Sequence, residues 1–150
     1  MSADGVAGGA ELVTLNVAGQ LCGVPVLAVR DVLGAQAITR VPLAPRAVAG
    51  SLNLRGHIVT AVDLRRRLGL PMPADGAARM SVVVEHGAEL YALLVDEVAE
   101  VMAPPSDAFE SLPPTLPPAW AAVGAGIHRL DGRLLLQLDV ARLLAVGEGR

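Results

Sequence analysis

Apolar and polar residues alternate in Val13-Thr14-Leu15-Asn16-Val17, the period-two pattern of a half-buried strand. Ala18-Gly19-Gln20 supplies a tight turn into Leu21–Val26, where Pro25 points to an edge position or a strand end. Further apolar runs follow at His57–Val62, Ser81–Glu85, Glu89–Val95, Val98–Met102, Val123–Leu130 and Arg133–Leu138, nearly all of them separated by turn residues. Many short strands with so little helical periodicity predict an all-β barrel or sandwich. Helix is expected only in short pieces, at Asp63–Leu68 and Asp139–Val146.

The strands repeat. An offset of 69 positions sets Val13-Thr14-Leu15 on Val82-Val83-Val84, Val24 on Leu93, Val29 on Val98 and Asp31 on Glu100. An offset of 76 sets Gly50 on Gly126, Gly56 on Gly132, Val62-Asp63-Leu64 on Leu138-Asp139-Val140, and Arg66 on Arg142. Two ordered blocks that match in Gly, Asp and apolar positions together imply an internal duplication. Each copy predicts a small lobe of about five strands. A lobe of roughly 70 residues buries little surface alone, so the two are expected to share a hydrophobic seam. The reading is a tail at 1–10, one unit at 11–146 with lobes near 11–70 and 78–146 whose termini are free to cross, and a tail at 147–150. Ala103–Trp120, with six prolines, is assigned to the surface, and Pro71–Gly76 to the lobe boundary.

Composition then removes several classes. The chain has 150 residues, 53% hydrophobic and only 18% charged, which excludes intrinsic disorder. Twelve basic against fifteen acidic residues give a net charge of −3, without the basic footprint that nucleic-acid binding needs. No apolar run reaches the length of a membrane helix, and the first residues lack the basic start and hydrophobic stretch of a signal peptide. Direct membrane insertion is therefore not expected. The single cysteine, Cys22, has no internal disulfide partner, in keeping with a reducing cytoplasm.

Candidate chemistry is sparse. Asp63 and Asp139 are related by the repeat, and two carboxylates from duplicated lobes raise the possibility of an acid-protease-like dyad and hence a hydrolase. Each, however, ends an apolar strand just before Leu-Arg-Arg or Val-Ala-Arg, the place of a helix N-cap, and the capping reading is preferred. His57, His86 and His128 lie in separate segments without ligand spacing, and read as surface or strand-end histidines, so no metal is expected. None of the serines, nor Cys22, sits in a nucleophile elbow, and Gly5–Gly9 lacks the strand and Lys of a phosphate loop. No catalytic residue and no cofactor is expected.

One constellation remains. Asn53-Leu54-Arg55-Gly56 places an arginine between two apolar strands, and its repeat mate is Asp131, so the charge symmetry breaks there. Arg55 is either a plain turn residue or an interface anchor, a role for which arginine is enriched. Asp31, in Val29-Arg30-Asp31-Val32, is the natural partner for it.

These residues carry a family likeness. Glu11–Val32, Thr39–Pro45, Val48–Gly56, Ile58–Leu70, Leu93–Val98 and Asp131–Leu144 resemble, in order, the CheW-type chemotaxis coupling proteins. Asn-Leu-Arg-Gly followed by an apolar strand and Asp-Leu-Arg is the most specific part. The resemblance implies two five-stranded SH3-like barrels around a common core. It implies a non-enzymatic cytoplasmic adaptor, associated with membrane receptor arrays, that links chemoreceptors to the regulatory domain of a CheA-type histidine kinase. A related kinase pathway such as surface motility is the alternative. Carried over by position, Val29, Asp31 and Arg55 would meet the receptor's helical coiled-coil tip in a groove between the lobes. Kinase contacts would fall on apolar edges of the second lobe at Leu93, Val95 and Val98, and at Leu116 and Trp120 in the Pro113–Trp120 loop. The chain departs from the family at Cys22, Leu12 and Leu15, where aromatics are common.

Overall fold

The computed structural model describes residues 11–73 and 79–145. Eleven strands form among them: β1 (Leu12–Val17), β2 (Gln20–Pro25), β3 (Val29–Leu33), β4 (Val48–Leu54), β5 (His57–Asp63), β6 (Met80–His86), β7 (Glu89–Val95), β8 (Glu97–Met102), β9 (Phe109–Glu110), β10 (Gly124–Leu130) and β11 (Arg133–Leu138). Three one-turn helices accompany them, α1 (Leu64–Arg67), α2 (Pro118–Ala121) and α3 (Val140–Leu143). The end of the helix expected over Asp139–Val146 and the expected tails at 1–10 and 147–150 lie outside the described residues, as does part of the Pro71–Gly76 break.

The strands form two sheets, ordered β8-β1-β2-β11-β10-β9 and β3-β6-β7-β5-β4. Each is the wall of a small SH3-like lobe. Neither is contiguous in sequence. Aligned by the repeat, β1 and β2 correspond to β6 and β7, β3 to β8, and β4 and β5 to β10 and β11. Each lobe thus takes its first hairpin from one repeat and its other three repeat strands from the other repeat. The joints obey the same symmetry. β5 pairs parallel with β7 through Thr60 and Tyr91, and β11 pairs parallel with β2 through Leu136 and Cys22. The Asp63 N–H donates to Ala47 O at 2.8 Å, and the Asp139 N–H donates to Val123 O at 2.8 Å. Matching register shifts fall between Val48 and Gly50 and between Gly124 and Gly126. The sixth strand, β9, which pairs Glu110 with Ile127, is matched in the other sheet only by the isolated Thr39–Ser51 bridge. It lies in the proline-rich insertion, which is not wholly superficial, because Leu112, Leu116 and Trp120 pack half-buried on the core.

The exchange explains the seam. Val13, Leu15 and Val17 of β1, Val82 and Val84 of β6, Leu93 and Val95 of β7, and Leu136 and Leu138 of β11 belong to one buried cluster spanning both sheets. Both faces of these strands are covered, one by the lobe interior and one by the seam, which is why β1 is buried at nearly every position. The two interiors differ. The five-stranded lobe is filled by Leu52, Val59, Ala61, Val83 and Ala92. At the repeat-related places, the other lobe has His128, Leu135, Gln137, Thr14 and Gly23. His128, expected at a surface or strand end, is instead buried. Its Nε2 lies 2.8 Å from Gln137 Oε1, and Phe109 of β9 packs over the ring at 4.8 Å.

A charged network ties the lobes at one end of the seam. Asp63 caps α1 by accepting from the N–H groups of Arg65 and Arg66 at 3.0 and 3.3 Å. It also accepts from the two terminal guanidinium nitrogens of Arg79, Nη1 and Nη2, at 2.8 and 2.9 Å. Arg65 donates twice to Asp96, at 2.9 and 2.7 Å, and Asp96 accepts in turn from the Ala18 N–H of the β1–β2 turn in the other sheet. Paired in this way, the charges are tolerated so far from water; Arg79 Nε makes no hydrogen bond but lies 4.0 Å from Asp96 Oδ1.

Candidate functional site

Arg55 and Gly56 form the two-residue loop between β4 and β5, with φ of 52° and 88°. Positive φ at both positions suits the type I′ turn that matches strand twist. A side chain in this left-handed region costs about 1 kcal/mol relative to glycine. The turn is braced by Asn53 Oδ1, which accepts from the Gly56 N–H at 2.9 Å. Arg55 is therefore held at the hairpin tip by its neighbours, with 74% of its side chain exposed.

Asp31 stands on β3, the other edge of the same sheet. Its Oδ1 accepts from the Val32 N–H at 2.9 Å, and its Oδ2 lies 2.9 Å from Arg55 Nη1. Asp31 is only 22% exposed, and Oδ2 has no aligned hydrogen bond besides this ion-pair contact. Sequence spacing left the Arg55–Asp31 contact open; the fold makes it, across the two edges of the five-stranded sheet. Beside it, Arg30 pairs with Glu85 at 2.7 Å. Val29 pairs with Val84 in the sheet and packs half-buried on the shared core, so only part of its side chain faces out. Val32, next to Asp31, and Ile58, three residues past Arg55, are exposed apolar residues. The resemblance did not single them out. Ile58 was legible in the alternation: it shares a strand face with Val62 but lies at the far end of β5, beyond the seam.

The kinase-facing expectations need correction. Leu93 and Val95 are 0% exposed. Both faces of β7 are covered, so these residues are core and offer no side chain to a partner. Val98, Leu116 and Trp120 are half-buried against the same core and present only their edges.

The other candidates resolve in structural terms. Asp63 is 2% exposed and fully engaged with α1 and Arg79. Asp139 caps α3 by accepting from the Arg142 N–H at 3.1 Å. The two sit at strand ends in different sheets, each as a cap. Burial pushes the Cys22 thiol up to about 12, far from a nucleophile's range. Among the described residues no three His, Cys, Asp or Glu side chains come together as metal ligands, and no helix is long and apolar enough to cross a membrane.

The fold and its ion-paired tip define a two-lobed, SH3-like β module built from exchanged repeats. The CheW-like domain family matches residues 11–148, and the chain belongs to that family. It is 29% identical over 134 residues to "Chemotaxis protein CheW" of Rhizobium meliloti, covering 88% of this chain and 86% of that protein. It is 32% identical over 113 residues to "Protein PilI" of Pseudomonas aeruginosa, covering 75% and 62%. The crystal structure of the scaffolding protein TtCheW from Thermoanaerobacter tengcongensis superposes with a TM-score of 0.82 at 27% identity, covering 92% of this chain and 94% of that one.

Proposed function

We propose that this protein is a non-enzymatic adaptor that couples chemoreceptors to a CheA-type histidine kinase. The observation that carries the reading is the Arg55–Asp31 pair, an exposed arginine held in a strained turn by a half-buried carboxylate on the opposite sheet edge. Such an arginine is a ready anchor for a partner, because its backbone and its charge are set before binding. The receptor's helical tip would meet this hairpin beside Val29, and the protein would reach membrane receptor arrays through that contact. The kinase's regulatory domain would dock on exposed apolar surface, in place of the buried Leu93 and Val95. Family membership and the likeness to CheW proteins support the adaptor role and chemotaxis as its setting. The likeness to Protein PilI favours a second reading, in which the same fold serves a different chemosensory pathway.

Co-sedimentation of the protein and the kinase with receptor-containing membranes tests the site. Arg55→Glu is expected to abolish recovery of the adaptor in the pellet while its circular dichroism and Tm stay close to wild type. Unchanged co-sedimentation of Arg55→Glu removes the proposed receptor face.

A further inference from the structure

At the opposite end of β4 from Arg55, about 20 Å away by strand rise, the β3–β4 connection walls a cleft of about 360 Å³. Three arginines line it, Arg40, Arg46 and Arg66, with Val41, Pro42 and Leu43 between them, and no carboxylate faces it among the described residues. Little of the charge is compensated. Among the described residues no ion pair or hydrogen bond engages the side chains of Arg40 and Arg46. Arg66 approaches Asp63 Oδ2 only at 3.7 Å, and that carboxylate is already held by both terminal nitrogens of Arg79. In a chain of net charge −3, a cleft with three arginines and no acid is a local reversal of sign.

The loop that carries this charge is rigidly mounted. Thr39 and Ser51 exchange both backbone hydrogen bonds at 2.8 Å, and the Val48 N–H donates to Pro45 O at 2.9 Å. Gly50, at φ 149°, lets the two segments close up, since a Cβ there would lie 2.1 Å from Thr39 O. Pro42 and Pro45 stiffen the intervening turn. At its apex Leu43 has φ of 64° and 104% relative exposure. A large apolar side chain in a left-handed conformation, pointed at water and seated among cations, is unfavourable both locally and in solvation. Val41 beside it is also exposed. The positive φ closes the turn in which the Ala44 N–H donates to Val41 O at 3.4 Å, but that turn asks for glycine or asparagine at this position and makes no use of an exposed leucine side chain.

We infer that this cleft is a second docking site, distinct from the Arg55 hairpin, for an acidic segment of a partner protein. The segment carries two or more carboxylates around one aliphatic side chain. The carboxylates pair with Arg40, Arg46 and Arg66, and the aliphatic residue rests on Leu43 and Val41. Arginine forks give such carboxylates bidentate geometry. The exposed leucine distinguishes this occupant from a free anion, which has no use for it.

The full-length protein, ¹⁵N-labelled, is titrated with a synthetic Ala-based helix of about 18 residues, long enough to hold helical structure, bearing Glu at i and i+4 around a Leu. Its Lys-for-Glu counterpart, inorganic phosphate, and vesicles containing an anionic lipid are run beside it. The Glu peptide is expected to bind saturably, to shift amides at 40–46 and 66, and to weaken as salt rises, as charge pairing requires. Arg46→Glu and Arg66→Glu are each expected to weaken it about tenfold. Leu43→Asn relieves the positive-φ strain, so it is expected to keep or raise Tm while weakening the peptide about threefold or more. The inference is overturned by no binding, by shifts confined to other surfaces, by equal affinity for the Lys peptide, or by wild-type affinity in both arginine variants. Full competition by phosphate or vesicles, or undiminished binding by Leu43→Asn, overturns the protein-segment occupant in favour of a simple anion or a lipid surface.

Discussion

Arg55 Nη1 lies 2.9 Å from Asp31 Oδ2, and the two residues come from opposite edges of the five-stranded sheet. The pair bridges β3 to the β4–β5 hairpin, where no strand pairing joins them. Its repeat counterparts, Glu100 and Asp131, are both acidic, so the six-stranded lobe has no equivalent clasp.

Swapping the pair separates its two roles. Arg55→Asp or Asp31→Arg alone places like charges across the edge, and each is expected to lower stability by up to about 1 kcal/mol, given the exposure of Arg55. The double swap is expected to recover most of that loss in urea unfolding. If Arg55 is the receptor anchor, receptor co-sedimentation stays lost in the double swap. Recovery of both together would mean that the clasp, and not the arginine's own contact, is what the receptor needs.

Gly50→Ala tests how tightly the Thr39–Ser51 anchor is built. The added Cβ meets Thr39 O at 2.1 Å, with backbone on both sides, so the β3–β4 connection has to move. A loss of about 2–4 kcal/mol is expected, at the upper end for single substitutions. Gly19→Ala has no atom within 4 Å of its Cβ and is expected to lose only about 1 kcal/mol, from positive φ. Equal losses at the two positions would contradict the close-approach account.

The seam network predicts an acid limb of stability. The Arg65 guanidinium, hydrogen-bonded to Asp96, holds that carboxyl below its usual range, with the Ala18 N–H and the charge of Arg79 adding to it against partial burial. Asp96 therefore binds a proton less readily folded than unfolded. Its contribution is complete above the unfolded aspartate value of about 4 and is lost as pH falls through that value toward the lower folded one. Urea unfolding from neutral pH downward is expected to show a shallower acid decline in Asp96→Asn, together with lower stability at pH 7. Parallel curves would rule the network out as a source of pH dependence.

His128 and Gln137 stand where the other lobe has Leu52 and Ala61. Replacing one member breaks their 2.8 Å hydrogen bond inside the core. His128→Leu is expected to destabilise by about 1–3 kcal/mol. The double variant His128→Leu/Gln137→Ala, which copies the other lobe, is expected to lose less than the sum of the singles, with a coupling of about 1 kcal/mol in a double-mutant cycle. Strict additivity would show that the bond contributes nothing.

How much of this was legible beforehand follows from what period two encodes. Alternation finds strands such as Val13–Val17 and their faces, and the offsets of 69 and 76 find the duplication. Neither says which hairpin pairs with which half, because β2 and β7 present nearly the same pattern to β11 and β5. The exchange is decided by long-range packing across the seam. The same limit accounts for Leu93 and Val95: a strand covered on both faces reads as an apolar run, and that run is as consistent with a docking edge as with a core. His128 looked superficial because its cover, Phe109, arrives on a strand of two residues with no periodicity to detect. Asp63 and Asp139 were read correctly as caps, since capping depends on local sequence alone.

The strand exchange has one more consequence. Neither half of the chain holds a complete lobe: 11–70 carries one hairpin for the six-stranded sheet and three strands for the other, and the second half carries the complement. The arrangement is that of a domain-swapped homodimer whose two subunits have become one polypeptide. Cut between 73 and 79, the halves would be obligate partners, each templating the other, and a lone half would find its missing strands only in a second copy of itself.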